Sequence, residues 1–141
     1  MSIRSLRSIA EGQHPTLFPA HATVSEVARQ MRDREVSAAM IVAGNRLVGI
    51  FTERDALFRV LAAGRDPRTT AVGEVMTKDP QTIHPGRPFV DALRMMHDGH
   101  FRHVPIVEDG RPLGIVSVRD ALHADFTELA DILVTREGER E

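Results

Sequence analysis

The chain has 141 residues, of which 42% are hydrophobic and 27% charged, with a formal net charge of −2. That length excludes a barrel of about 250 residues and leaves one ordinary domain or two small repeats, while the composition excludes a disordered chain. Its 18 basic and 20 acidic residues are interspersed, and Trp, Tyr and Cys are absent; a nucleic-acid partner, which needs a basic stripe or stacking aromatics, is not expected, nor is thiolate, disulfide or Cys-zinc chemistry.

Residues 1–13 lack the apolar stretch of a secretory leader and read as an N-terminal extension. No run of about 18 apolar residues occurs, so the expected location is cytoplasmic, without a membrane partner. Leu17-Phe18 reads as a short extended entry closed by Pro19. Thr23, with Glu26 three residues on, opens a helix through a capping box, and Val24, Val27, Ala28 and Met31 recur at helical spacing. Two apolar runs, residues 39–42 and 47–51, flank Gly44-Asn45 and predict a hairpin. A second helix follows from Thr52 to about Ala63, ended by Gly64-Arg65-Asp66-Pro67.

Past a linker at residues 67–78 the pattern recurs. Thr82-Ile83 is again a short entry. Pro88 starts a helix, where its missing N–H is tolerated, with Phe89, Val90, Leu93 and Met96 on one face. Residues 104–107 and 113–116 flank Asp109-Gly110, a strong hairpin signal. A helix from Ser117 to about Ala124 follows. Leu129, Ile132 and Leu133 predict a last short helix, and residues 137–141 read as frayed. Two repeats, residues 14–66 and 79–125, therefore form one module, with a C-terminal helix and tail at 126–141.

The repeats align without a gap at a shift of 65 residues. Gly49-Ile50-Phe51-Thr52-Glu53-Arg54-Asp55-Ala56-Leu57 falls on Gly114-Ile115-Val116-Ser117-Val118-Arg119-Asp120-Ala121-Leu122, with six of nine positions identical. Self-similarity of this kind settles the organisation before any fold is named. The fold class is α+β: tandem β-α-β-β-α repeats related by a pseudo-two-fold, each supplying half of a shared core.

The motif Gly-h-h-(Ser/Thr)-x-x-Asp, h being apolar, sits where a strand becomes a helix. A helix start offers unpaired N–H groups to a phosphate, and a hydroxyl there can donate to a phosphate oxygen. A carboxylate one turn on can accept from two ribose hydroxyls, and the glycine would let a planar base approach the backbone. The same pairs, Thr52 with Asp55 and Ser117 with Asp120, also read as capping boxes that need no ligand. Arg54 and Arg119 likewise read either as ligand contacts or as exposed helix residues.

The duplicated unit resembles the CBS (cystathionine-β-synthase) domain, paired as a Bateman module. Arg102-His103-Val104-Pro105-Ile106-Val107 followed by Gly114-Ile115-Val116-Ser117-Val118-Arg119-Asp120 is very like that family's second repeat. The resemblance covers about residues 15–125. It implies a disc-like module with two clefts that bind adenosine derivatives: AMP first, with ADP, ATP, NAD or S-adenosylmethionine as alternatives. It also implies a homodimer. Asp55 and Asp120 would hold ribose hydroxyls, Thr52 and Ser117 phosphate or ribose oxygens, and Arg102 and His103 phosphates. Ile50 and Ile115 would pack on adenine, with Val36 and Phe101 as walls and Thr16 and Gln81 offering backbone contacts. Ser37-Ala38-Ala39-Met40 stands where the second repeat has Arg102-His103-Val104-Pro105, so the clefts are expected to differ, the Ser117/Asp120 cleft being the more cationic.

His97, His100 and His103 have a metal-like spacing, but Gly99 is expected to break the shared face, and no metal site is expected. The methionines read as core fillers. No Gly-x-Ser-x-Gly elbow or Walker motif occurs, so no enzyme is expected and no cofactor is required. The expected function is a regulatory sensor of an AMP-like nucleotide, acting on its own dimer or on a regulated protein in trans. The alternative is a ligand-independent dimerisation scaffold.

Overall fold

The structure, a computed structural model, describes residues 5–120. The helix expected within 126–134 and the end of the helix expected from Ser117 lie outside the described residues; residues 118–120 are helical.

Helix α1 (Leu6–Glu11) is capped by the Ser5 hydroxyl, which accepts from the Ser8 N–H. Strand β1 (Leu17–Pro19) leads to helix α2 (Val24–Arg34), where both halves of the Thr23/Glu26 capping box form. Strands β2 (Ala38–Ala43) and β3 (Arg46–Thr52) make the first hairpin. Helix α3 (Glu53–Asp55) continues as a π-helical stretch (Ala56–Leu61). A 3-10 turn (Val72–Glu74) and strand β4 (Thr77–Lys78) connect to helix α4 (Phe89–Gly99), and strands β5 (His103–Glu108) and β6 (Arg111–Ser117) make the second hairpin.

The two halves repeat in detail. β1 runs parallel to β2 with Phe18 opposite Ile41, and Ile83 makes the equivalent parallel bridge to Ile106. Both hairpins slip register at equivalent places, between Ile41 and Val42 and between Ile106 and Val107. A bulge bends its strand and is a designed feature; its recurrence at the same place in both hairpins makes it part of the repeat.

The core is not shared in the way the sequence suggested. Two separate clusters form, one per repeat. Each is completed by the segment that precedes the other repeat. Leu6, Ile9 and Ala10 of α1 pack with Phe89, Ala92, Met96, Val104, Ile106 and Val116 of the second repeat. Val72, Val75 and Met76 pack with Val27, Ile41 and Phe51 of the first. Residues 72–78 lie 65 positions after residues 7–13, so the crossover is itself repeated, and it ties the repeats into one unit.

The crossover also explains the motif glycines. A Cβ on Gly49 would lie 3.0 Å from the Thr77 carbonyl oxygen, and one on Gly114 would lie 3.0 Å from Ala10 Cα and 2.8 Å from Gln13 Oε1. Both glycines therefore admit the crossing segment, a reason for them that the sequence alone did not show.

Candidate functional site

A cleft of about 1330 Å³ opens between the repeats. Ser37, Ile50, Thr52, Arg54 and Asp55 line it from the first repeat. Gln81, Phe101, Arg102, His103, Ser117 and Arg119 line it from the second. Two clefts were expected; the Thr52/Asp55 set and Ser117 of the second set open into one continuous space. Thr16, Val36, Ile115 and Asp120 are not in its wall. Thr16 is buried, and its hydroxyl accepts from Arg34 Nη1 at 3.3 Å. Val36 is 40% exposed. The backbone of Ile115 is clasped by the Gln13 amide, whose Nε2 donates to the Ile115 carbonyl at 2.7 Å while Oε1 accepts its N–H at 2.9 Å.

Both hydroxyl–carboxylate pairs form caps. Asp120 Oδ2 accepts from the Ser117 N–H at 2.9 Å and from its hydroxyl at 3.3 Å. Asp55 is buried, and its Oδ2 accepts the Thr52 N–H at 3.0 Å and the Thr52 hydroxyl at 3.2 Å. Its other oxygen has looser company: Oδ1 accepts from the Thr77 hydroxyl at 3.4 Å and faces Arg59 Nε at 3.5 Å.

Arg59 is a cleft residue that the sequence reading passed over. Its spacing of four from Asp55 was the available signal, since i,i+4 partners share a helix face. Phe58 also lines the cleft and was passed over; the Arg54 guanidinium lies 5.1 Å from its ring centroid, within cation–π reach. With Arg54, Arg59, Arg102 and Arg119 against Glu53, Asp55 and Asp79, the cleft wall carries an excess of positive charge. The cationic groups are spread over both half-sites rather than gathered at Ser117 and Asp120, as the sequence had suggested.

His103 does more than face a ligand. Its Nε2 lies 2.7 Å from the Ser37 hydroxyl, a hydrogen bond that joins the two repeats across the cleft. Burial pushes the imidazole below its ordinary pKa of 6.5, and Arg102 acts in the same direction against Glu53 and Asp120. The folded state therefore prefers the neutral ring. The unfolded chain takes up a proton first as pH falls, so this group's stabilisation is complete above pH 6.5 and declines as pH drops from there through the depressed folded value. Thermal melts between pH 7.5 and 5 are expected to show a smaller loss of Tm for His103→Gln than for the native chain. An unchanged slope would remove His103 as the source.

His97 is exposed beside Asp98, His100 caps the end of α4 in a left-handed conformation, and His103 lies in β5. Among the described residues no three His, Cys, Asp or Glu side chains are placed to hold a metal ion. Nor is any helix among them long and apolar enough to cross a membrane.

The CBS-domain family model matches residues 12–62 and 72–126. CBS domain-containing protein CBSCBSPB3 of Arabidopsis thaliana is 41% identical over 117 residues, spanning 82% of this chain and 21% of its own length. The mitochondrial CBSX3 of the same plant is 33% identical over 107 residues, 72% of this chain and 52% of its own. The chain thus spans only about a fifth of the length of the first of these relatives. Among solved structures, CBS domain protein PAE2072 from Pyrobaculum aerophilum, complexed with AMP, superposes with a TM-score of 0.73 at 28% identity, covering 86% of this chain and 97% of that one. The hexameric CBS-CP12 protein of bloom-forming cyanobacteria superposes with a TM-score of 0.78 at 25% identity, covering 99% of this chain and 82% of that one. A repeated fold, a crossover that couples its halves and a family match over both repeats lead to one conclusion: this chain belongs to the CBS-domain family and carries a tandem pair of CBS domains.

Proposed function

We propose that this CBS pair is a regulatory module that binds an adenine nucleotide of the AMP type in the cleft between its repeats. The observation that carries the reading is the convergence, in one cleft, of the Thr52/Asp55 hydroxyl–carboxylate motif, the Ser117 hydroxyl of its repeat and four arginines. Carboxylates suit a ribose diol, and guanidinium groups match phosphate oxygens in pairs. The AMP complex of PAE2072 supports this ligand class. Asp55 would hold ribose, Thr52 and Ser117 ribose or phosphate oxygens, and Arg54, Arg102 and Arg119 phosphate. Ile50 and Phe101 would flank the base. The role is binding rather than catalysis, in the cytoplasm.

The cleft walls come from different repeats, so a ligand spanning them prefers one arrangement of the repeats and shifts the population toward it. A partner protein, or a second copy of the chain, reads that shift. The hexameric CBS-CP12 protein supports self-association as one output. A ligand-independent scaffold is the second reading, favoured by the capping bonds that Asp55 and Asp120 already make.

Isothermal titration of the pure protein with AMP, ADP, ATP, NAD and S-adenosylmethionine tests the proposal. Micromolar binding is expected, tightest for AMP. Absence of measurable binding by all five would leave the scaffold.

A further inference from the structure

At the Thr52/Asp55 half-site the two oxygens of Asp55 are engaged differently. Asp55 Oδ2 is committed to the Thr52 backbone and hydroxyl, a local cap that a ligand cannot replace without unwinding the turn. Oδ1 is the exchangeable side. Its contacts are the Thr77 hydroxyl at 3.4 Å and Arg59 Nε at 3.5 Å, both long for hydrogen bonds. The same guanidinium is anchored by its Nη1, which donates to the Met76 carbonyl at 2.8 Å, yet the side chain is 52% exposed and lines the cleft. It sits in the π-helical stretch that follows α3, an irregularity found often at functional sites.

We propose that Arg59 is the specificity-determining residue of this half-site, releasing Asp55 to a ribose only when a ligand phosphate takes its guanidinium. The inference rests on the nucleotide-binding reading above. A ribose diol can replace the Thr77 hydroxyl and Arg59 as donors to Oδ1. Without a new anion, that exchange strips a guanidinium of its carboxylate and returns little. A phosphate offers the guanidinium a charge-assisted, two-pronged partner, and the exchange then balances. The half-site therefore selects phosphorylated nucleosides over free nucleosides. The selection belongs to the first repeat alone: at the shift of 65 residues, Ala124 stands where Arg59 would be and Gly12 where Thr77 would be.

The test is calorimetric titration of the native chain, Arg59→Ala and Arg59→Gln with AMP and with adenosine. For both variants, AMP affinity at one of the two half-sites is expected to fall about tenfold, the scale of a lost charge-assisted bond, while adenosine binds as well as before or better. Parallel losses for both ligands would reduce Arg59 to a support for Asp55 and overturn the proposal. An unchanged ratio of the two affinities would overturn it too. A native chain that binds neither compound would overturn the nucleotide reading itself, and the Arg59 assignment with it; the two failures are thus told apart.

Discussion

Leu6→Ala is expected to destabilise the chain by about 2–5 kcal/mol, the range for emptying a buried leucine site. That corresponds to a fall in Tm of roughly 6–20 degrees for a domain of this size. Leu6 is fully buried. It lies in a helix of six residues, too short to persist alone. What holds the helix is its seat on the second repeat: Leu6, Ile9 and Ala10 close the cluster around Val104, Ile106 and Val116, and Gln13 clasps the backbone of β6 at Ile115. Removing Leu6 therefore opens a core 100 residues away in sequence, on the strand that ends at Ser117. Leu61, 72% exposed, is the control, and Leu61→Ala is expected to change stability by less than about 0.5 kcal/mol. Urea denaturation of the three proteins reads the difference. A Leu6→Ala midpoint as close to native as that of the control would make α1 an ornament rather than part of the fold.

The elements that were legible in the sequence are those written in local pattern. The Thr23/Glu26 box, the hairpins around Gly44-Asn45 and Asp109-Gly110, and the helix faces all declare themselves within a few residues, and they formed. The 65-residue shift carried the rest of the repeat. What stayed hidden depends on partners far apart in the chain. Gln13 and Ile115 are separated by 102 positions, and no period marks them as neighbours, so residues 5–13 looked like an appendage and the cores looked shared. Gly49 and Gly114 were visible, but their reason was not: a base and a crossing segment both demand a missing Cβ. Val36 was drawn into the site by resemblance, and the end of α2 leaves it exposed. Ser37 shows the converse. Its position marked the departure of the first repeat from the second, and its hydroxyl meets His103, the next residue along in the other repeat's equivalent segment.

The cap and the ligand readings of the motif meet at Asp55, and Asp55→Ala separates them. The substitution leaves the Thr52 N–H and hydroxyl without their acceptor and takes the acceptor from the Thr77 hydroxyl. The N–H of residue 55 still reaches the Thr52 hydroxyl, so half of the capping box survives; the cost is that of the donors orphaned by the missing carboxylate, about 1–3 kcal/mol. The Arg59 pairing, on a half-exposed side chain, adds little. A ligand-free loss of about 1–3 kcal/mol is therefore expected from these lost bonds alone, whether or not a nucleotide binds. The ligand reading adds a second, independent effect. AMP at a hundred times its dissociation constant would stabilise the native chain by about 2.7 kcal/mol. Losing the ribose contact at one half-site is expected to weaken AMP there by about 10- to 100-fold, so about half or more of that site's share of the stabilisation disappears in Asp55→Ala at the same AMP concentration. Melting curves with and without AMP measure both effects in one experiment. A lowered ligand-free Tm with the full AMP-dependent rise would make Asp55 a cap and nothing more, whereas a lowered Tm with the rise curtailed assigns it both roles, one carboxylate oxygen holding the turn and the other holding the ligand.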